Sequence, residues 1–203
     1  HARTCMMAGV GLTGVFLWYL VRFWVYGKAV VLTSAPLTIP AGFLIAGMAV
    51  ATLIGAALAS WAAGPISERI EEKNIPVARV VAGACLLYAA GLALAWGLGV
   101  WSTGTARENG MLLFALISGF AFGVYDSLGL ELVMDSLPDP RRAGHDLGIY
   151  ALANSAGLAL AAIIGALLVN AFEHSFGYYL LFPSAIVMVL LAGIVTLTTK
   201  SAE

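Results

Sequence analysis

Residues 131–155, ELVMDSLPDPRRAGHDLGIYALANS, are the one place where a hydrophobic chain stops, turns on charge and starts again. Glu131 to Leu137 reads as the last turns of an apolar helix. Pro138 and Pro140 cannot continue it, because each lacks a backbone N–H and each restricts the residue before it. Arg141, Arg142, His145 and Asp146 then form a charged turn, with Gly144 and Gly148 giving backbone freedom before the next apolar run begins at Leu147. The stretch reads as a tight polar hairpin between two long hydrophobic helices, and the rest of the chain is placed by it.

The 203 residues are 61% hydrophobic and 10% charged, with mean hydropathy +0.95; a soluble domain carries about 25% charged residues. Such a chain belongs in a lipid bilayer. Net charge is -1 and the pI is near 6.3, which leaves no basic footprint for nucleic acid. Cys5 and Cys85 are too few and too far apart for a disulfide framework or a metal site, and they read as small buried apolar residues. His145 and His174 fall in expected loops, so neither points to a metal. The sequence holds no G-x-x-x-x-G-K-[ST] loop and no visible pairing of nucleophile and base, so no enzyme activity and no cofactor are expected.

Cys5 to Tyr26 is apolar apart from Arg22 and supplies the roughly 20 residues that a span needs. Ala41 to Gly64, Val77 to Trp101, Met111 to Leu137, Leu147 to Phe172 and Tyr178 to Thr199 follow, which makes six expected spans in one all-α membrane domain over residues 1–203. No signal peptide is expected, and His1 in place of Met points to a processed or partial chain. With six spans, Arg3, Arg69, Lys73, Arg79, Arg141, Arg142 and Lys200 lie on one side and Arg22, Lys28 and Arg107 on the other. Seven cations against three put both termini in the cytoplasm. Tyr26, Trp101, Tyr178 and Tyr179 fall near outer ends, where an aromatic belt sits.

Small residues recur four apart at Ala51, Gly55, Ala59 and Ala63 on the second span, and again at Gly157, Ala161 and Gly165 on the fifth. That spacing makes a smooth stripe on one helix face, which in lipid lets backbones approach closely. An alanine-rich helix produces such a row by composition alone. Its recurrence on a second span favours packing.

Two of these stretches carry a resemblance. Leu-Pro-Asp-Pro-Arg-Arg-Ala-Gly-His-Asp-Leu-Gly at 137–148, followed by Ala153 and Asn154, is similar to the loop between helices ten and eleven of actinobacterial major facilitator superfamily permeases. Where those relatives continue with Pro-Gln, this chain has Ser155, Ala156 and Gly157. Residues 64–76, GPISERIEEKNIP, resemble the Gly-x-x-x-Asp/Glu-Arg loop that follows helices two and eight, through Gly64, Pro65, Ser67, Glu68, Arg69 and Lys73. Glu71 and Glu72 stand where relatives usually place Gly and basic residues. The resemblance covers most of Ala41 to Thr199 and implies the C-terminal half of such a permease, helices seven to twelve. It implies two inverted three-helix repeats at about 5–101 and 111–199, cytoplasmic hairpins, and residence in the bacterial inner membrane. It also implies a second six-helix half, covalent or separate, and a secondary active transporter that moves a small solute by alternating access with proton coupling. A catalytically silent polytopic scaffold in a larger membrane complex is the alternative. Helices eight and eleven line the seam between halves in the superfamily, so the stripes are expected to face other helices there.

Asp126 is the acid nearest mid-membrane, about 15 Å along the helix from Ser136. A carboxylate there is costly and is paired, protonated or functional. It is therefore the candidate coupling residue, with a structural bond to Tyr125 or Asn154 as the other reading. In relatives an acid often occupies the position matched by Gly129, one turn later on the same face. Glu131 and Asp135, one turn apart, are expected to serve a cytoplasmic gate with Arg141, Arg142 and the Glu68–Arg69 pair; a solvated charged turn is the plainer reading of the last two. Arg22 is expected to snorkel to the interface. Asn154 and Ser155 are expected to hydrogen-bond within the bundle.

Overall fold

Backbone groups in hydrocarbon must satisfy one another, so the apolar runs become helices. The structure, a computed structural model, describes residues 1–25, 39–101, 105–135, 143–172 and 174–199, and its described elements are all helical. In chain order these are α1 (Ala2–Gly14), α2 (Leu17–Leu20), a π-helical turn (Val21–Val25), α3 (Ile39–Glu72), α4 (Val77–Trp101), α5 (Thr105–Asp135), α6 (Ala143–Ala171) and α7 (His174–Thr199). Five of them, α3 to α7, are long and apolar enough to cross a membrane.

The first expected span, Cys5 to Tyr26, is not one continuous helix. α1 starts earlier, at Ala2, and closes after Gly14, where the Val15 N–H still reaches the Gly11 carbonyl at 2.9 Å. Phe16 then leaves helical geometry at φ -98°, ψ 7°, and its ring packs where Gly165 on α6 leaves room. The break between α1 and α2 thus coincides with a bulky ring seated in a neighbour's gap. Tyr26 lies outside the described residues.

The other boundaries shift because hydropathy finds the part of a helix that lies in lipid, not its polar ends. α3 runs past Gly64 and through Pro65 to Glu72, so Glu68 and Arg69 stand on its last turns and not in a loop. Arg107 is on α5, His145 and Asp146 are on α6, and His174 opens α7. Residues 136–142, the middle of the charged hairpin, lie outside the described residues. At 34 residues α3 is about 51 Å long, well beyond a hydrocarbon core of about 30 Å.

α3 stops in a left-handed cap. Asn74 has φ 49°, its N–H reaches the Glu71 carbonyl at 3.2 Å, and the Ile75 N–H reaches back to the Ile70 carbonyl at 3.0 Å. This pair of bonds is a Schellman motif, in which Asn is one of the few side chains that tolerates the left-handed position. Asn74→Val is expected to lose about 1 kcal/mol, whereas Asn74→Gly holds or slightly gains. Thermal unfolding of the three proteins in one detergent checks this, and equal midpoints for Val and Asn would refute it.

α5 packs on α3 and α4, while α1 packs on α6 and α7, and α4 and α7 join the two groups. α1 therefore takes its partners from the other end of the chain, whereas α5 takes the two helices before it. The core holds Met6, Leu12, Leu92, Met111, Leu181 and Phe182, all fully buried. Phe114 stands between Tyr88 and Phe182 with edge-on ring contacts at 6.2 and 6.5 Å. Thr13, Thr52 and Ser118 give their hydroxyls to carbonyls three or four residues back, which satisfies them inside their own helices.

Candidate functional site: a charged and aromatic cluster between α1, α5 and α6

Asp126 lies on α5 and Arg3 on α1, and the two helices run so that the residues meet. Asp126 is about 30 Å of helix from the start of α5 at Thr105, and Arg3 stands on the first turn of α1. Arg3 Nη1 is 2.6 Å from Asp126 Oδ1. Its Nε donates to Asn154 Oδ1 on α6, also at 2.6 Å. The guanidinium lies 4.6 Å from the ring centre of Tyr150, 5.6 Å from Tyr125 and 5.8 Å from Phe122, within the range where a ring's electron-rich face attracts a cation. Phe122 and Tyr125 stack on each other at 6.4 Å. Three helices thus close on one cation through a carboxylate, an amide oxygen and three rings.

The pair is uneven. Arg3 is 11% exposed and Asp126 is 50% exposed. Nη1 makes its short contact with Asp126 outside good hydrogen-bond alignment, so attraction of opposite charges carries it. The Tyr150 hydroxyl is buried without a hydrogen-bond partner. It sits 3.9 Å from where a Cβ on Gly129 would be, an ordinary contact that leaves a side chain room at that position.

The sequence reading of Asp126 needs correcting in its partner. Neither Tyr125 nor Asn154 bonds to it; Arg3 does, and Asn154 serves Arg3. Arg3, counted among the residues outside the spans, points into the bundle. A charge balance by depth carried the signal, since an acid within a span calls for a cation at the same level.

The small-residue positions lie on contacts inside the chain. A side chain at Gly55 would meet the backbone of Leu116, Gly119 and Phe120, and one at Gly119 would meet Thr52. Ala59 is fully buried beside Gly123, and Ala51 packs against the core. On α6, Gly157 lies on the α1 backbone at Thr4 and Ala8, Ala161 lies against Gly11, and Gly165 holds Phe16. Gly119 and Gly123 on α5 complete the α3 stripe and were missed in the sequence, because they sit in an aromatic run, GFAFG.

Glu68 and Arg69 are exposed on α3. Glu131 and Asp135 belong to the last turns of α5, but their side chains lie outside the described set, as do Arg141 and Arg142. Most of the expected gate therefore lies outside the described side chains. Trp101 is exposed, whereas Tyr178 is buried and stacks on Tyr19 at 6.1 Å, so it serves packing and not a belt. Among the described residues no group of three His, Cys, Asp or Glu side chains is placed to hold a metal.

The family model of the Major Facilitator Superfamily matches residues 40–203. The chain belongs to the major facilitator superfamily. It is accordingly an integral membrane protein of a transporter family, not of an enzyme family. Comparisons with curated proteins and with solved structures found no match. The matched stretch of this superfamily member contains Asp126 and Asn154 but begins after α1, so the helix that supplies Arg3 lies before it.

Proposed function

We propose that the chain is the C-terminal six-helix half of a secondary transporter, working by alternating access against a second six-helix half in the same polypeptide or a separate chain. The observation that carries this reading is the Arg3–Asp126 pair, a charged contact that joins α1 to α5. Such residues are expensive in lipid and mark pathways for ions or solutes. Contacts between residues 5–101 and 111–199 support two interlocked repeats, since α1 packs on α6 and α7 while α5 packs on α3 and α4. In this reading Asp126 takes up the coupling proton. Uptake removes the charge that holds Arg3, and so loosens α1 from α5.

The test needs no solute. In the complete transporter lacking Cys5 and Cys85, Gly129→Cys places a thiol on the face of Asp126, one turn on. Impermeant maleimide is expected to reach it from either side of vesicles of known orientation, at a rate that changes with pH when normalised to an exposed Glu71→Cys thiol. Asp126→Asn is expected to flatten that pH profile. Labelling confined to one side under every condition would sink alternating access, and an unchanged profile in the Asn variant would remove Asp126 from coupling. The same set fixes topology: Glu71→Cys is expected to label from the cytoplasm and Arg107→Cys from outside.

A further inference from the structure

We propose that the cavity between the α1–α2 break and the first turns of α3 is a binding site for an acyl chain of a bilayer lipid. The proposal does not rest on the transporter reading. The cavity measures about 520 Å³ and is open along one side; Gly14, Leu17 and Trp18 line one wall, and Gly42, Ile45 and Ala46 the other. It exists because Gly14, Gly42 and Ala46 bring little or no side chain to the space between apolar helices. Its walls are held in place. Thr13 is buried before the break, Phe16 is seated at Gly165, Leu20 and Val21 are fully buried after it, and Ile45 packs against the core. Closing the cavity would pull these residues out of their packing, so the site is formed before anything enters it.

Location and shape decide the occupant. The cavity flanks the first turns of the α3 span, in the leaflet away from the charged end of that helix at Glu68 to Glu72. It runs along the same turns as Phe43 and Val50, large exposed apolar side chains, so it continues the apolar surface that the span offers to lipid. An unfilled groove there forfeits the dispersion contacts of its lining. Water fills it poorly, because an ordered water needs about two to four polar partners and the described lining side chains are apolar apart from the Trp18 indole N–H. From Gly42 to Ala49 is about 10 Å of helix, so about 520 Å³ leaves a cross-section of about 50 Å². A helix about 10 Å wide needs about 80 Å². A hydrocarbon tail is far thinner than a helix and enters where a helix does not.

Trp18 reports on the site, because it forms part of the wall and bromine on a lipid tail quenches an indole only at contact. The full chain is prepared with Trp18 as its sole tryptophan, through Trp24→Phe, Trp61→Phe, Trp96→Phe and Trp101→Phe. A second version keeps only Trp61, which is 79% exposed and stands for passing contact with bulk lipid. Both are placed in nanodiscs of phosphatidylcholine brominated in its tails and then moved into unbrominated detergent. Both are expected to be quenched in the nanodiscs. On transfer Trp61 should recover at once and Trp18 about tenfold more slowly, since a seated tail leaves at its own off-rate. Ala46→Leu fills the cavity and should let Trp18 recover as fast as Trp61. Native mass spectrometry of the unsubstituted chain should show retained phosphatidylcholine that Ala46→Leu loses, and it decides the matter where the sole-tryptophan chain does not fold. Trp18 that stays bright in the nanodiscs would overturn the proposal, because another helix or a second copy of the chain then covers the groove. Recovery as fast as that of Trp61, or lipid retention that Ala46→Leu leaves unchanged, would overturn it as well.

Discussion

Asp126→Ala is expected to destabilise the chain by about 3–5 kcal/mol, Arg3→Ala by about 2–3 kcal/mol, and the double variant by clearly less than their sum. The order follows from exposure. Removing Asp126 strands Arg3, which is 11% exposed and keeps only Asn154 and three rings for its charge. Removing Arg3 strands a carboxylate that is half open, so its penalty is smaller. Taking both away leaves no lone charge, only lost contacts, and a coupling energy of about 1–3 kcal/mol should remain in the cycle. Reversible unfolding of the four proteins in mixed micelles, followed by circular dichroism, gives the cycle. Strict additivity would show that the two side chains touch without holding each other.

The same pair marks how far the sequence could be read. Five long apolar helices and the polar breaks between them were legible, because a span is a matter of length and composition, and both are local. The ends were not legible: the second span was expected to end at Gly64, yet α3 carries its exposed, charged last turns through to Glu72 and is capped at Asn74. The break at Phe16 was hidden as well, since the ring there docks at Gly165, about 150 residues away in the chain. Asp126 could be singled out as an acid deep in a span. Arg3 could not, because counting charge by loop assigns a terminal arginine to the water, whereas its role depends on α1 and α5 meeting at that depth.

Gly55→Leu and Gly119→Leu are each expected to cost about 3 kcal/mol or more, or to prevent assembly of the helices, because α3 and α5 meet there backbone to backbone. A side chain at Gly55 would run into the carbonyl of Leu116 and the amide of Phe120, and one at Gly119 into the carbonyl of Thr52. Backbone cannot rotate away as a side chain can, so the helices must separate along the whole contact. In lipid that loss is not offset by expulsion of water, since the association rests on close packing. Gly165→Leu should cost less, about 1–3 kcal/mol, since it meets the outer edge of the Phe16 ring, which can swing, although α1 and α6 stay close at Gly157 and Gly11. Gly64→Leu and Gly83→Leu meet nothing within 4 Å and serve as controls of the same chemistry. The loss of stability should therefore rank Gly55 and Gly119 first, Gly165 next, and the controls near zero. Thermal unfolding and monodispersity in one detergent read the ranking. Controls as damaging as Gly55 would mean that leucine is harmful anywhere on these helices; a harmless Gly55→Leu would mean that α3 and α5 do not touch through their backbones.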